Sequence, residues 1–170
     1  MRYLVSLLAL VSFASAAPAQ SPRGKAELTL GGARMTVDYG RPSLEGRDML
    51  ARAPVGFVWR LGADQATTLE VDGIAVFGNM VVNKGKYSLF AERTSEDRWT
   101  LVVNSETGQW GTEHDRKKDL IGVPLKRDKQ EESTEQLTIE LLGEGPDTGL
   151  VKIRWGREVL MQRFRLVPSK

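Results

Sequence analysis

The sequence predicts an all-β fold, a single-domain antiparallel β-sandwich or partly closed barrel. Three observations carry that expectation. Apolar and polar residues alternate with period two in short runs, which is how half-buried strands read. Turn residues punctuate these runs at intervals of about 8–12 residues, the spacing of sandwich and barrel strands. No stretch keeps helical spacing over several turns.

The elements follow in order. Residues 26–30 and 33–39 flank Gly31-Gly32, and a two-residue glycine turn between alternating runs predicts a hairpin. Residues 67–71 and 74–77 flank Asp72-Gly73 and predict a second hairpin by the same argument. Residues 80–82 lead through Asn83-Lys84-Gly85-Lys86 into a strand at 87–91, and the polar turn ERTSEDR separates that strand from one at 99–104. Residues 136–142, 150–155 and 158–167 each alternate. In the last run Leu160, Phe164 and Leu166 share one parity and Arg163 and Arg165 the other, so the cations form a solvent face. Two charged segments, residues 111–119 and 126–136, read as solvated connections rather than domain linkers.

Residues 1–19 have the layout of a secretory signal peptide. Arg2 precedes an apolar run over residues 3–13, too short to span a bilayer, and small residues follow it. Two Ala-x-Ala cleavage sites compete, one leaving Ala17 first and the other Gln20, and no cysteine is present for lipid attachment. The mature chain over residues 20–170 is expected to be one exported domain, periplasmic or extracellular, with no membrane span. Zero cysteines remove disulfides, thiolate metal sites and cysteine nucleophiles. The fold therefore stands on its core, and a chain of about 150 residues buries about 68–70% of its unfolded surface, enough without covalent staples. With 24 Lys+Arg against 22 Asp+Glu and a net charge of +2, charge is balanced, which argues against a nucleic-acid partner.

Five blocks then stand out in order: VDYGRPSLEGRDM, GFVWRLGADQATTLEV, GKYSLF, WTLVVN followed by QWG, and DRKKDLIGVPLK. Together they resemble a bacterial exported family known as domain of unknown function 2911, over roughly residues 35–166. The resemblance implies no activity, substrate or cofactor. Two positions depart from the family's pattern. Relatives usually read Gly-Ala-Asn-Glu-Ala-Thr where this chain has Gly62-Ala63-Asp64-Gln65-Ala66-Thr67, and an arginine is common where this chain has Gly122.

The candidate site is the corner in VWRLGADQATTLEV. Phe57, Trp59 and Leu61 lie on one parity, Val58 and Arg60 on the other, and Gly62 lets the chain turn. Asp64 is placed to pair across the turn with Arg60, since guanidinium and carboxylate make strong paired hydrogen bonds. One reading makes this a structural corner, finished by Thr67 and Thr68. The other makes Arg60 and Arg41 donors to an anionic or hydroxyl-rich ligand, with Asp64 orienting Arg60 and Thr67 nearby. Aromatic residues on alternating strands are more often core. Tyr39 and Trp110 border glycine-containing turns and are the aromatic ligand candidates.

Nothing in the sequence reads as catalytic. His114, the one histidine, lies in Glu113-His114-Asp115, and three consecutive residues rarely converge on one ion, so it reads as part of a solvated loop with no metal. No Gly-x-Ser-x-Gly elbow accompanies it. Asp147-Thr148-Gly149 follows a turn and has no second copy, unlike an aspartic protease dyad. The expected function is a non-catalytic ligand-binding or envelope-associated module, without cofactor, taking a small anionic or carbohydrate ligand around Arg60. The alternatives are a hydrolase acting on envelope or extracellular glycans, through carboxylates whose pairing spacing does not reveal, and an assembly partner of unspecified oligomeric state.

Overall fold

A computed structural model describes residues 20–169, so the leader over residues 1–19 lies outside the described residues. Ten strands form one antiparallel sheet that does not close: β1 (Arg23–Leu30), β2 (Ala33–Gly40), β3 (Val58–Trp59), β4 (Thr67–Asp72), β5 (Ile74–Phe77), β6 (Met80–Val82), β7 (Gly85–Ser95), β8 (Arg98–Asn104), β9 (Asp119–Gly143) and β10 (Thr148–Val167). Their spatial order is β1-β2-β4-β7-β8-β9-β10-β5-β6, with β3 pairing to β7. This is the all-β, partly open barrel or sandwich that the alternation predicts. The sole helical element among the described residues is a 3-10 turn, Arg116–Lys118, begun by the Asp115 carboxylate accepting from Lys117 N–H.

The first hairpin forms as predicted, with Leu30 opposite Ala33 across Gly31-Gly32. The second does not. Strand β4 is already paired on both sides, by β2 and β7, while β5 joins β10 and β6. Asp72-Gly73 is a corner at which the chain changes sheet halves, a recognised way of turning an orthogonal packing. Gly73 is needed there because a Cβ would meet the Val167 carbonyl oxygen at 2.5 Å and the Ala33 methyl at 2.7 Å.

The charged run over residues 126–136 is also not a connection. It lies inside β9, where Lys126 to Lys129 face Met161 to Glu158 on β10. Backbone pairing, rather than apolar side chains, makes this stretch a strand. The two C-terminal runs are likewise one strand, β10, whose pairing slips at Gly156 (φ 65°). Residues 42–44 close part of the opening: Leu137 N–H donates to Pro42 C=O and Leu44 N–H to Glu135 C=O.

One apolar core joins the inward faces. Trp59 stacks on Trp155 at 5.7 Å and 7°, and meets Trp99 edge-on at 6.3 Å. Such aromatic pairs add about 0.5–1.5 kcal/mol beyond their buried area. Beneath the far rim, Arg127 and the buried Glu158 form a bidentate pair at 2.6 and 2.9 Å.

Candidate ligand groove beside the Arg60 corner

Strand β3 ends at Trp59, and the following residues make a corner of unusual backbone. Leu61 and Asp64 both adopt positive φ, 52° and 62°, a conformation L side chains seldom take. Two neighbours hold it. On one side Gly40 packs so closely on Ala63 that a Cβ would run into that backbone. On the other, Gly111 N–H donates to Asp64 C=O at 2.8 Å and Ala66 N–H to Gln109 C=O at 3.2 Å. Inside the turn, the buried Thr67 hydroxyl donates to Leu61 C=O at 2.8 Å.

Beside this corner lies a groove of about 600 Å³, the size of a small-molecule site. Its apolar wall comes from Phe57 and Trp59 of β3, Phe90 of β7 and Trp155 of β10. Its polar lining comes from Arg60, Asp64, Thr112 and His114, with Ser21 and Arg47 also contributing. The buried indole N–H of Trp155 has no acceptor among the described residues.

Arg60 and Asp64 both line the groove, but they do not pair. The Asp64 carboxylate accepts from Ser21 N–H at 2.7 Å. Arg60 makes no hydrogen bond or ion pair among the described residues. The other half-buried arginines all do: Arg41 and Arg93 donate to backbone carbonyls, Arg127 to Glu158 and Arg154 to Glu140. Gly111 makes the room for Arg60, since a Cβ there would meet the Arg60 Cδ at 2.9 Å.

The remaining candidates lie elsewhere. Arg41 donates Nε to Leu137 C=O at 3.1 Å and Nη2 to the Thr138 hydroxyl at 3.4 Å, binding β9 rather than joining Arg60. Tyr39 is buried, and its hydroxyl accepts from Ile139 N–H at 2.9 Å and donates to Ile139 C=O at 3.3 Å. Thr67 is buried within the corner. Trp110 is 40% exposed, pairs its backbone with Gln65 and does not line the groove. Arg41 and Tyr39 thus bond across to β9, Thr67 braces the corner from inside, and Arg60 and Asp64 line the groove.

His114 corrects the reading of a solvated loop. Its side chain is only 12% exposed, its ring lies 4.4 Å from that of Phe90, and its Nε2 is 2.8 Å from Asp119 Oδ1. Asn104, fully buried, donates to the same Asp119 oxygen at 2.8 Å and to Asp115 C=O at 2.9 Å. Phe90, Trp155 and Phe57 are further lining residues that period-two reading assigns to the core. Alternation tells which side of a strand a residue occupies, and both sides of β7 are covered here. The one available signal was Phe90 itself: in the run Leu89-Phe90-Ala91 two adjacent parities are apolar.

No group of three or more metal-ligating side chains occurs among the described residues. No helix of the described residues is long and apolar enough to cross a membrane. No curated protein and no solved structure matches the chain. The family described as protein of unknown function (DUF2911) matches residues 21–163, from just before β1 to within β10, so it spans the corner and every residue lining the groove. The chain belongs to that family.

Proposed function

We propose that this is an exported binding protein whose groove takes a small organic anion with a flat ring or sugar face. The observation that carries the reading is the half-buried Arg60, whose guanidinium has no acceptor among the described residues and lies beside an aromatic wall. A partly desolvated charge without a partner is unfavourable, and an anionic ligand supplies the partner. The apolar lining from Phe57, Trp59 and Trp155 suits a ring or the apolar face of a sugar. Export rests on the leader-like residues 1–19.

Isothermal titration of the mature protein with glucuronate, benzoate and glucose tests this. Binding of the two anions, with glucose weaker by about tenfold or more, is expected for a charge-assisted contact. Arg60→Gln should abolish the preference while leaving the melting temperature near wild type. Equal binding of glucose and glucuronate, or affinity untouched by Arg60→Gln, would remove Arg60 from the site. Turnover of an added glycan, lost on changing one carboxylate in a folded protein, would favour the hydrolytic alternative instead.

A further inference from the structure

We infer that His114 is the groove's second anion-recognition residue, so that the preferred ligand is a small dianion bridging Arg60 and the His114 imidazolium, taken up together with a proton. The inference rests on the reading of the groove as an anion site and adds the ligand's charge and its coupling to pH.

The ring is built to present one nitrogen. Asp119 Oδ1 occupies Nε2 at 2.8 Å, and Asn104 donates to that same oxygen at 2.8 Å. A carboxylate only accepts, so Nε2 carries the proton in the neutral ring and Nδ1 keeps the lone pair. Nδ1 has no partner among the described residues, although His114 lines the groove. Phe90 packs against the ring and fixes its plane. Because Asp119 serves Nε2–H in either protonation state, a gained proton changes Nδ1 alone, from an acceptor to a charged donor. Nδ1 then offers an anion what Arg60 offers it.

The charged groups on the elements around the ring do not already use that donor. On β7, Glu92 is held by Arg116 at 2.8 and 3.2 Å. Within the loop, the Asp115 carboxylate caps Lys117 N–H and Glu113 accepts from Trp110 N–H. Lys118 pairs with Glu106 at 2.6 Å. On the corner that also lines the groove, Asp64 is engaged by Ser21 N–H, and Arg60, without a partner among the described residues, lines the same space. Asp119 remains as the ring's own partner. A monoanion satisfies Arg60 alone, whereas a dianion also satisfies the protonated ring. The sign follows directly. An anion favours the charged ring, so its binding draws a proton onto Nδ1 and strengthens as pH falls.

The test uses untagged mature protein with tartrate and sulfate, dianions whose charge is constant across the range used, and with benzoate as the monoanion. Titration calorimetry at pH values of about 8 and about 5.5, in buffers of different ionisation enthalpy, reads affinity and proton uptake. Tartrate affinity is expected to rise about tenfold on going to the lower pH, with net proton uptake, while benzoate rises far less. His114→Gln, which keeps a donor toward Asp119, should flatten the pH dependence. His114 is the only histidine, so its ring signals in the wild-type protein are unambiguous even if the variant does not fold. Those signals should show the Nε2–H tautomer and move on adding tartrate. Binding that needs Arg60 but is flat in pH, with unmoved ring signals, would overturn this inference and leave the anion site standing. Absence of binding by any of the three anions would overturn both.

Discussion

Replacing Tyr39 by Phe separates a strand-holding tyrosine from a ligand-holding one. Among the described residues the hydroxyl is the sole side-chain partner of both backbone groups of Ile139, accepting at 2.9 Å and donating at 3.3 Å across a sequence separation of 100 residues. The site is buried, with Tyr39 3% exposed, so water does not replace the lost oxygen without opening the contact between β2 and β9. Leaving a buried N–H unsatisfied costs about 1–3 kcal/mol, and the weaker 3.3 Å bond adds little. In a domain of this size each kcal/mol lowers the melting temperature by about 2–4 °C, so the expected fall is about 2–12 °C. Urea unfolding should show the midpoint falling with an unchanged slope, since the surface exposed on unfolding is the same. Glucuronate affinity, measured well below the transition, should match wild type. Wild-type stability with weakened binding would refute the reasoning and return Tyr39 to the ligand candidates.

Glu158→Ala removes one partner of a buried bidentate pair and should cost about 3 kcal/mol, the low end for such pairs because Arg127 keeps its bond to Glu96 C=O and some solvent contact; urea unfolding measures it, and a loss below about 1 kcal/mol would mean the pair is effectively solvated. Asp64→Asn should fold like wild type and bind tartrate several-fold more tightly by calorimetry, because it removes a negative charge from the groove; weaker binding would show that Asp64 orients Arg60 after all. The Arg165 guanidinium, hydrogen-bonded to Asp147, holds that carboxyl below its ordinary 3.8. As pH drops below that value the unfolded chain takes up the proton first, so the stabilisation is present above it and is lost as pH falls through the folded value. Asp147→Asn should therefore flatten the acid limb of a melting-temperature profile, and an unchanged limb would exclude the contribution.

Much of the fold is legible because alternation and turn chemistry are local. The Gly31-Gly32 hairpin needs only its own residues. The Asp72-Gly73 hairpin fails because a turn residue reports that the chain bends, while the partner of β4 is decided by β2 and β7, which are remote in sequence. The charged run in β9 is missed for a related reason. Most of its side chains face solvent, Arg127 excepted, and its strand character comes from pairing with β10, which no local pattern records. At the site, Arg60 and Asp64 are legible as neighbours of a groove because Gly62 announces the corner. His114 is not, since the buried Asn104 and the half-buried Asp119 that hold it come from β8 and β9 and meet it only in the folded chain.

The corner also explains how an arginine can be left free beside an aspartate four residues away. A simple turn would let the two meet, and the pair would satisfy itself. Here Leu61 and Asp64 are both driven to positive φ, at about 1–3 kcal/mol each for such conformations. Thr67, Gly40 and Gly111 offset that cost by fixing the backbone from inside and from both flanks. The twist turns Asp64 toward Ser21 N–H and leaves Arg60 at the groove. Asn and Asp are the non-glycine residues that tolerate this backbone best, and either presents a side-chain oxygen to Ser21 N–H. The Asn-to-Asp difference from the family pattern is therefore neutral for the corner's geometry, and its effect falls on the charge of the groove. The corner thus engages its carboxylate with the Ser21 backbone and leaves the Arg60 guanidinium without an acceptor among the described residues.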